Sequence, residues 1–388
     1  MRPWLFLLGI LLMLVPEILR VYYIMPFPGS QEDMPTDDRQ VNIAYWLHNN
    51  IWWVRLIGLA LVIGPFIHYM RRGNWWKRIA VVIPAALCVL VFCAFNYKFM
   101  ADKMFYPPKE KRMALPDTNL FQHERQRLVI SVERNGDARA YPIELIGYHH
   151  QVLDTIGGEP VLVTYCTVCR TGRAWSPKVN GEQETFRLVG MDHFNAMFED
   201  SRTKSWWRQV SGECIAGPLK GQQLAEVRSE QLTLGEFMER SPKGRVMQAD
   251  PNFTEEYEDL AGFDDGTIES DLEYRDTASW QMKSWVVGVV HNGQARAYDW
   301  RLLERRFSLI DTLGGDSILI AMQIRGFDSA PIDFEVHRCS SYDTTFTSPE
   351  EINTIIVAHS EPRISAYQEF WHSWRTFHPN TTRYTPKR

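Results

Sequence analysis

The chain has 388 residues, a formal net charge of −5, 45% hydrophobic residues and 13% aromatic ones. At roughly 150 residues per domain the length suggests two or three domains. The acidic balance excludes nucleic-acid binding through bulk positive charge, and the aromatic content excludes a largely disordered chain.

Three apolar stretches precede residue 100, over 4–25, 51–70 and 79–99. Each is about 20 residues, the length that crosses a hydrocarbon core about 30 Å thick. Trp52, Trp53, Trp75 and Trp76 stand near their ends, where indoles favour the headgroup layer. Buried core helices are the alternative, and three such runs in a row with aromatic flanks speak against it. The first stretch lacks a small-residue cleavage site and carries Pro16, Glu17 and Arg20, so it reads as an uncleaved anchor rather than a signal peptide. Glu17 and Arg20 are three residues apart and can pair on one helix face.

The loops predict an orientation. The first carries Glu32, Asp33, Asp37 and Asp38 against Arg39, and the second carries Arg71, Arg72, Lys77 and Arg78. Basic loops stay in the cytoplasm, which places everything after residue 100 outside it. Lys98, Lys103, Lys109, Lys111 and Arg112 after the third stretch run against this, but the contrast between two short loops is the stronger signal. The expected setting is the bacterial cytoplasmic membrane. The bilayer is the partner, envelope proteins are candidate partners, and no nucleic acid or nucleotide is expected.

Residues 129–164 and 286–321 align without a gap at an offset of 157 and are identical at 14 of 36 positions. The shared landmarks are Asn135-Gly136 with Asn292-Gly293, Ala-Arg-Ala-Tyr at 138–141 and 295–298, Asp154-Thr155 with Asp311-Thr312, and the glycine pairs 157–158 and 314–315. The unit predicts a hairpin turning at Asn-Gly, a short helical stretch over 143–147, and a second strand pair turning at Gly-Gly. Asn180-Gly181 predicts a further hairpin between 174–179 and 185–189. Thr233 with Glu236, and Ser365 with Gln368, predict capping boxes opening two closing helices, with Pro242 and Pro379 as stops.

The fold expected is therefore α+β and β-rich, with two tandem related lobes after a three-helix transmembrane region. Its parts are the transmembrane helices over 1–100 and a juxtamembrane linker over 101–128. A first lobe over 129–250, an acidic linker over 251–285 with little apolar periodicity, and a second lobe over 286–388 follow.

The run Gly157-Gly158-Glu159-Pro160-Val161-Leu162-Val163-Thr164-Tyr165-Cys166-Thr167-Val168-Cys169 resembles the signature of a large bacterial family known only as a domain of unknown function. That family's text is a Gly-Gly turn, an apolar strand and Thr-Tyr-Cys-Pro-x-Cys. The run from Phe198 to Gln209, Gly217-Pro218-Leu219-Lys220-Gly221, Phe370-Trp371-His372-Ser373-Trp374 and Phe377-His378-Pro379-Asn380-Thr381 match as well. The resemblance covers about residues 105–385, departs at Thr167 where the family has Pro, and implies no established activity.

Chemistry points to the cysteines. Cys88 and Cys93 lie in the third apolar stretch and read as packing, while Cys166, Cys169, Cys214 and Cys339 lie in the polar part. Cys166 and Cys169 align with Gln323 and Gly326, so the second lobe repeats the scaffold without the thiols. Four readings stay open for the pair. One is a structural disulfide, within the pair or to Cys214, in a non-enzymatic envelope interaction module. Another is a soft-metal site, with Zn²⁺ or Cu⁺ held by Cys166 and Cys169 and further ligands from His149, His150, His193 or Cys214. A redox dithiol and a cysteine nucleophile with a histidine base complete the set. His149 and His150 are adjacent and, on a strand, would face opposite sides. The Asp200–Gln209 run reads as a hairpin with Trp206 or Trp207 packed inside. Phosphate loops, EF-hand loops and HExxH pairs do not occur, which sets aside nucleotide hydrolysis and zincin proteolysis.

Overall fold

The computed structural model describes residues 3–27, 30–31, 38–323, 333–339 and 363–386. Three long apolar helices are followed by a β-rich α+β region whose four-stranded sheets resemble propeller blades. The chain forms two compact units, each built from separate stretches. One joins Met1–Tyr106 with Phe186–Arg208 and Glu213–Gln222, and the other joins Pro107–Thr185, Gln209–Gly212 and Gln223–Arg388.

In the first unit, helices α1 (Pro3–Tyr22), α2 (Arg39–Arg72) and α3 (Trp75–Tyr97) are all long and apolar enough to cross a membrane. A Cβ on Gly9 of α1 would lie 2.7 Å from the Gly58 carbonyl of α2, so the two backbones meet where both lack side chains. Glu17 and Arg20 pair at 2.8 Å as expected. Helix α2 runs well beyond the predicted 51–70. Its 34 residues extend about 51 Å at 1.5 Å per residue, more than a bilayer core requires. The added turns have a packing reason, because Val41 and Ala44 pack with Ile24 on Val189, Met197, Trp206 and Ile215 of a sheet. That sheet has the order Cys214–Ala216, Trp206–Arg208, Asn195–Asp200, Phe186–Asp192. Both Trp206 and Trp207 are buried, and their indoles donate to Glu199 at 3.0 Å and Asp200 at 2.9 Å. Of the acidic loop, Glu32, Asp33 and Asp37 lie outside the described residues, and Asp38 pairs with Lys220 at 2.9 Å.

The second unit runs twice through one succession of elements. Strands Leu128–Arg134 and Asp137–Pro142, helix Ile143–His149, and strands Gln151–Ile156 and Glu159–Cys166 come first. Strands Trp285–His291 and Gln294–Asp299, helix Trp300–Arg306, and strands Ser308–Leu313 and Asp316–Gln323 follow at the same offset of 157. Each half closes with a strand, a seven-residue helix and a strand, starting at 229, 234 and 245 and again at 366, 371 and 382. In both halves the last strand pairs parallel to the second strand.

The shared motifs hold this scaffold. Tyr141 and Arg139 donate to Asp154 at 2.6 and 2.8 Å, while Tyr298 and Arg296 donate to Asp311 at 2.8 and 2.5 Å. Asn135 and Asn292, at φ 49° and 45°, supply their hairpin turns and donate to the Gly157 and Gly314 carbonyls. One core serves both halves, with Ile130, Tyr141 and Val163 in the same cluster as Val287, Tyr298 and Ile320.

Three expectations need correction. The Asn180-Gly181 turn joins only Lys178–Val179 and Glu182–Gln183, because Phe186–Asp192 pairs along Asn195–Asp200 instead. Thr233 caps its helix, accepting from the Glu236 amide at 3.2 Å, but Ser365 caps nothing. Residues 366–370 are a strand along Trp285–Val289, and the helix Trp371–Phe377 starts after Phe370. The acidic 251–285 segment contains regular structure. It carries the helix Thr254–Glu258 and buries Phe253, Tyr257 and Phe263. Finally, His149 and His150 do not stand on a strand. His149 ends a helix and His150 is its left-handed cap at φ 61°.

Candidate functional site

The strands Glu159–Cys166 and Thr171–Trp175 pair as far as Cys166 opposite Thr171, leaving residues 167–170 as a four-residue loop. Arg170 closes it at φ 56°, donating its amide to the Thr167 carbonyl at 3.1 Å. Left-handed backbone at a non-glycine residue costs about 1–3 kcal/mol and persists where surrounding contacts hold it. Here they do. The Val168 carbonyl accepts from Lys283 Nζ at 2.7 Å and lies 3.0 Å from His372 Nε2, and the Cys169 carbonyl accepts from the Phe370 amide at 3.0 Å. Thr167 donates its hydroxyl to Glu273 at 3.0 Å.

The loop turns both sulfurs inward. Cys166 and Cys169 are fully buried free thiols, three residues apart at the two sides of the turn. Burial and then the neighbouring Cys166 push the Cys169 thiol well above its ordinary range, while the Lys283 amine and a hydrogen bond with Ser373 work the other way. Lys283 is itself buried, which lowers its pKa, and both sulfurs in their anionic form raise it again. Burial, followed by the Lys283 charge, brings His372 down to about 3 and keeps that ring neutral.

Next to the thiols is a fully buried guanidinium. Arg170 stands 3.7 Å from the Trp285 ring centroid, with Phe263 and Trp300 at 5.6 and 5.8 Å. Its three side-chain nitrogens have no hydrogen-bond partner among the described residues, nor do the Tyr165 hydroxyl, the Trp285 indole or Asp264 Oδ1. Burial raises Asp264 to about 7.

Of the other candidates, His150 stands beside the thiol strand, its carbonyl accepting from the Tyr165 amide at 2.9 Å. His149 Nε2 is 2.7 Å from the Tyr257 hydroxyl, in a cage with Tyr148 and Phe253. His150 Nδ1 is 3.0 Å from the Tyr148 carbonyl, and burial brings it down to about 4. His193 and Cys214 belong to the other unit. His193 pairs with Asp192 at 2.6 Å, and Cys214 donates to the Ala216 carbonyl at 3.5 Å, its thiol pushed up by burial to about 11. Among the described residues no group of three or more His, Cys, Asp or Glu is placed to hold a metal ion. All six cysteines are free thiols. Sequence reasoning missed Lys283, Ser373 and His372 as neighbours of the pair. The last two lie in the Phe370–Trp374 run, which carried the family resemblance but no chemical signal of its own.

The model of a family described as "Protein of unknown function (DUF3179)" matches residues 111–381. Neither the curated proteins nor the solved structures contain a match to the chain.

Proposed function

The chain belongs to the DUF3179 family, and from that premise we propose a membrane-anchored protein whose Cys166–Cys169 pair binds one Cu⁺ ion. The observation that carries the reading is the buried thiol pair with Lys283 in electrostatic reach of both sulfurs. Zn²⁺ in a structural site takes four protein ligands, and soft thiolates select Cu⁺. Two thiolates satisfy Cu⁺ with linear coordination, and the resulting site carries one negative charge. A buried negative charge needs a partner, and the Lys283 ammonium is placed to be that partner. His149, His150, His193 and Cys214 have no part in this reading.

The three apolar helices fit membrane anchoring. The basic 71–78 loop supports an extracytoplasmic placement of the β-rich region, in the bacterial envelope, where envelope proteins are its candidate partners. The repeated succession of elements supports a tandem duplication, with the thiols confined to the first copy and the second copy acting as scaffold.

The test is anaerobic titration of the full chain in detergent with Cu⁺ against a chromophoric Cu⁺ chelator. One equivalent should be retained by the wild type, lost in the Cys166→Ser/Cys169→Ser variant and weakened in Lys283→Met. Equal uptake by the wild type and the double variant sinks the reading. A redox reading is favoured by one different observation, two buried free thiols three residues apart at one turn. Conversion of the dithiol to a disulfide releases two electrons and two protons to an external disulfide, and leaves the buried pair uncharged in both states. A mass lower by two hydrogens, reversible with dithiothreitol and absent from the double variant, would mark that chemistry instead.

A further inference from the structure

The membrane-spanning helices carry a feature that anchoring alone does not need. Glu17 of α1 is shared by two arginines: Arg20 donates to it at 2.8 Å, and Arg55 of α2 donates to its other oxygen. Both guanidiniums also donate to Asn96 Oδ1 of α3, at 2.6 and 2.8 Å. One carboxylate against two guanidiniums leaves a positive charge over. Among the described residues, the next carboxylate in electrostatic reach, Asp102, is paired with Lys103 and Arg187, both at 3.3 Å. Ionisable groups within spans are costly and mark function by default.

A lateral groove of about 230 Å³ ends at this cluster. Its walls are apolar and come from all three spans, with Met13 on α1, Leu56 and Leu59 on α2, and Val89 on α3. At its polar end, Arg55 lies 4.6 Å from the ring centroids of both Trp52 and Phe92. Trp52 and Trp53 are exposed, as interfacial anchors are, so Arg55 one turn deeper stands just inside the headgroup layer. The stripe Arg55–Leu59 then continues roughly 6 Å toward the bilayer interior at 1.5 Å per residue.

We propose that this groove is a binding site for one monoanionic phospholipid, with the phosphodiester at Arg55 and an acyl chain along Leu56, Leu59 and Val89. The left-over positive charge selects a single negative charge. Among the described residues the groove lining includes no carboxylate besides the shared Glu17, so the ammonium of a zwitterionic lipid finds no partner there. The inference rests on the membrane helices alone and is independent of the thiol site.

The test is native mass spectrometry of the full chain in detergent, offered phosphatidylglycerol or phosphatidylethanolamine at equal concentration. The wild type should retain phosphatidylglycerol in at least about fivefold excess, the scale of one basic side chain at a membrane surface. Leu59→Trp fills the groove from the lipid-facing side without touching the ion cluster, and it should lose bound lipid while keeping the wild-type melting temperature. Arg55→Gln should lose the preference between the two lipids. Equal retention of both lipids by the wild type, or undiminished binding in Leu59→Trp, overturns the proposal. So does displacement of the lipid by inorganic phosphate, which would place the anion outside the groove.

Discussion

Arg173 donates to Glu369 with both side chains buried, joining the strand that follows the thiol loop to the closing strand of the second half. The Glu369 carboxylate also accepts from Ser373 at 3.0 Å, and Ser373 bears on the titration of Cys169. A buried pair of this kind positions the residues around it, and its cost appears when one partner is removed.

Glu369→Ala leaves the Arg173 guanidinium buried without its carboxylate. The expected loss is about 3–5 kcal/mol, whereas Arg173→Met together with Glu369→Leu should recover much of it. Thermal denaturation of the full chain in detergent measures both. A single variant as stable as the wild type would show that the pair is not buried in solution.

Asp264 gives a pH dependence of definite sign. Its Oδ2 accepts from the Leu128 amide at 2.7 Å, and burial raises its pKa to about 7 from an ordinary 3.8. Between those two values the folded chain holds a proton that the unfolded chain has released. This contribution to stability is therefore present below pH 3.8 and is lost as pH rises through about 7. At 1.36 kcal/mol per unit the whole window is worth about 4 kcal/mol at most. Asp264→Asn should flatten the difference in melting temperature between pH 5 and pH 8 relative to the wild type. An unchanged difference would refute the assignment.

The two Gly-Gly turns separate steric from conformational cost. Gly157 at φ 56° would place a Cβ 2.2 Å from the Arg134 carbonyl oxygen, whereas Gly158 at φ 82° faces open space. Both alanine variants pay the left-handed penalty of about 1–2 kcal/mol. Gly157→Ala must also displace backbone and should melt well below Gly158→Ala. Gly314, 2.6 Å from the His291 carbonyl oxygen by the same construction, should rank below Gly315 in the same way.

If the Arg-x-Tyr and Asp landmarks serve the scaffold, Tyr141→Phe should destabilise the chain by about 1–2 kcal/mol, the cost of a buried acceptor losing a donor. Its Cu⁺ affinity should stay at the wild-type value. A drop in affinity at unchanged stability would move Tyr141 from scaffold to site.

What the sequence determined by itself is local. Apolar length marked the three helices, and Asn-Gly with Gly-Gly marked turns whose left-handed backbone those residues adopt at little cost. The aligned segments at offset 157 have strand and helix boundaries that recur residue for residue. The failures came where local signals compete with pairing partners distant in sequence. Ser365 and Gln368 have the spacing of a capping box, yet residues 366–370 gain more as a strand along Trp285–Val289. Asn180-Gly181 turns as expected, but the strand Phe186–Asp192 joins Asn195–Asp200 instead. The thiol site depended most on tertiary structure. Lys283 and His372 reach the Val168 carbonyl from 115 and 204 residues away, and neither periodicity nor spacing carries information over that distance. The same holds in the three apolar helices, where Glu17 and Arg20 are legible as an i, i+3 pair. The second arginine and Asn96, which share that carboxylate's cluster, arrive only when three helices pack.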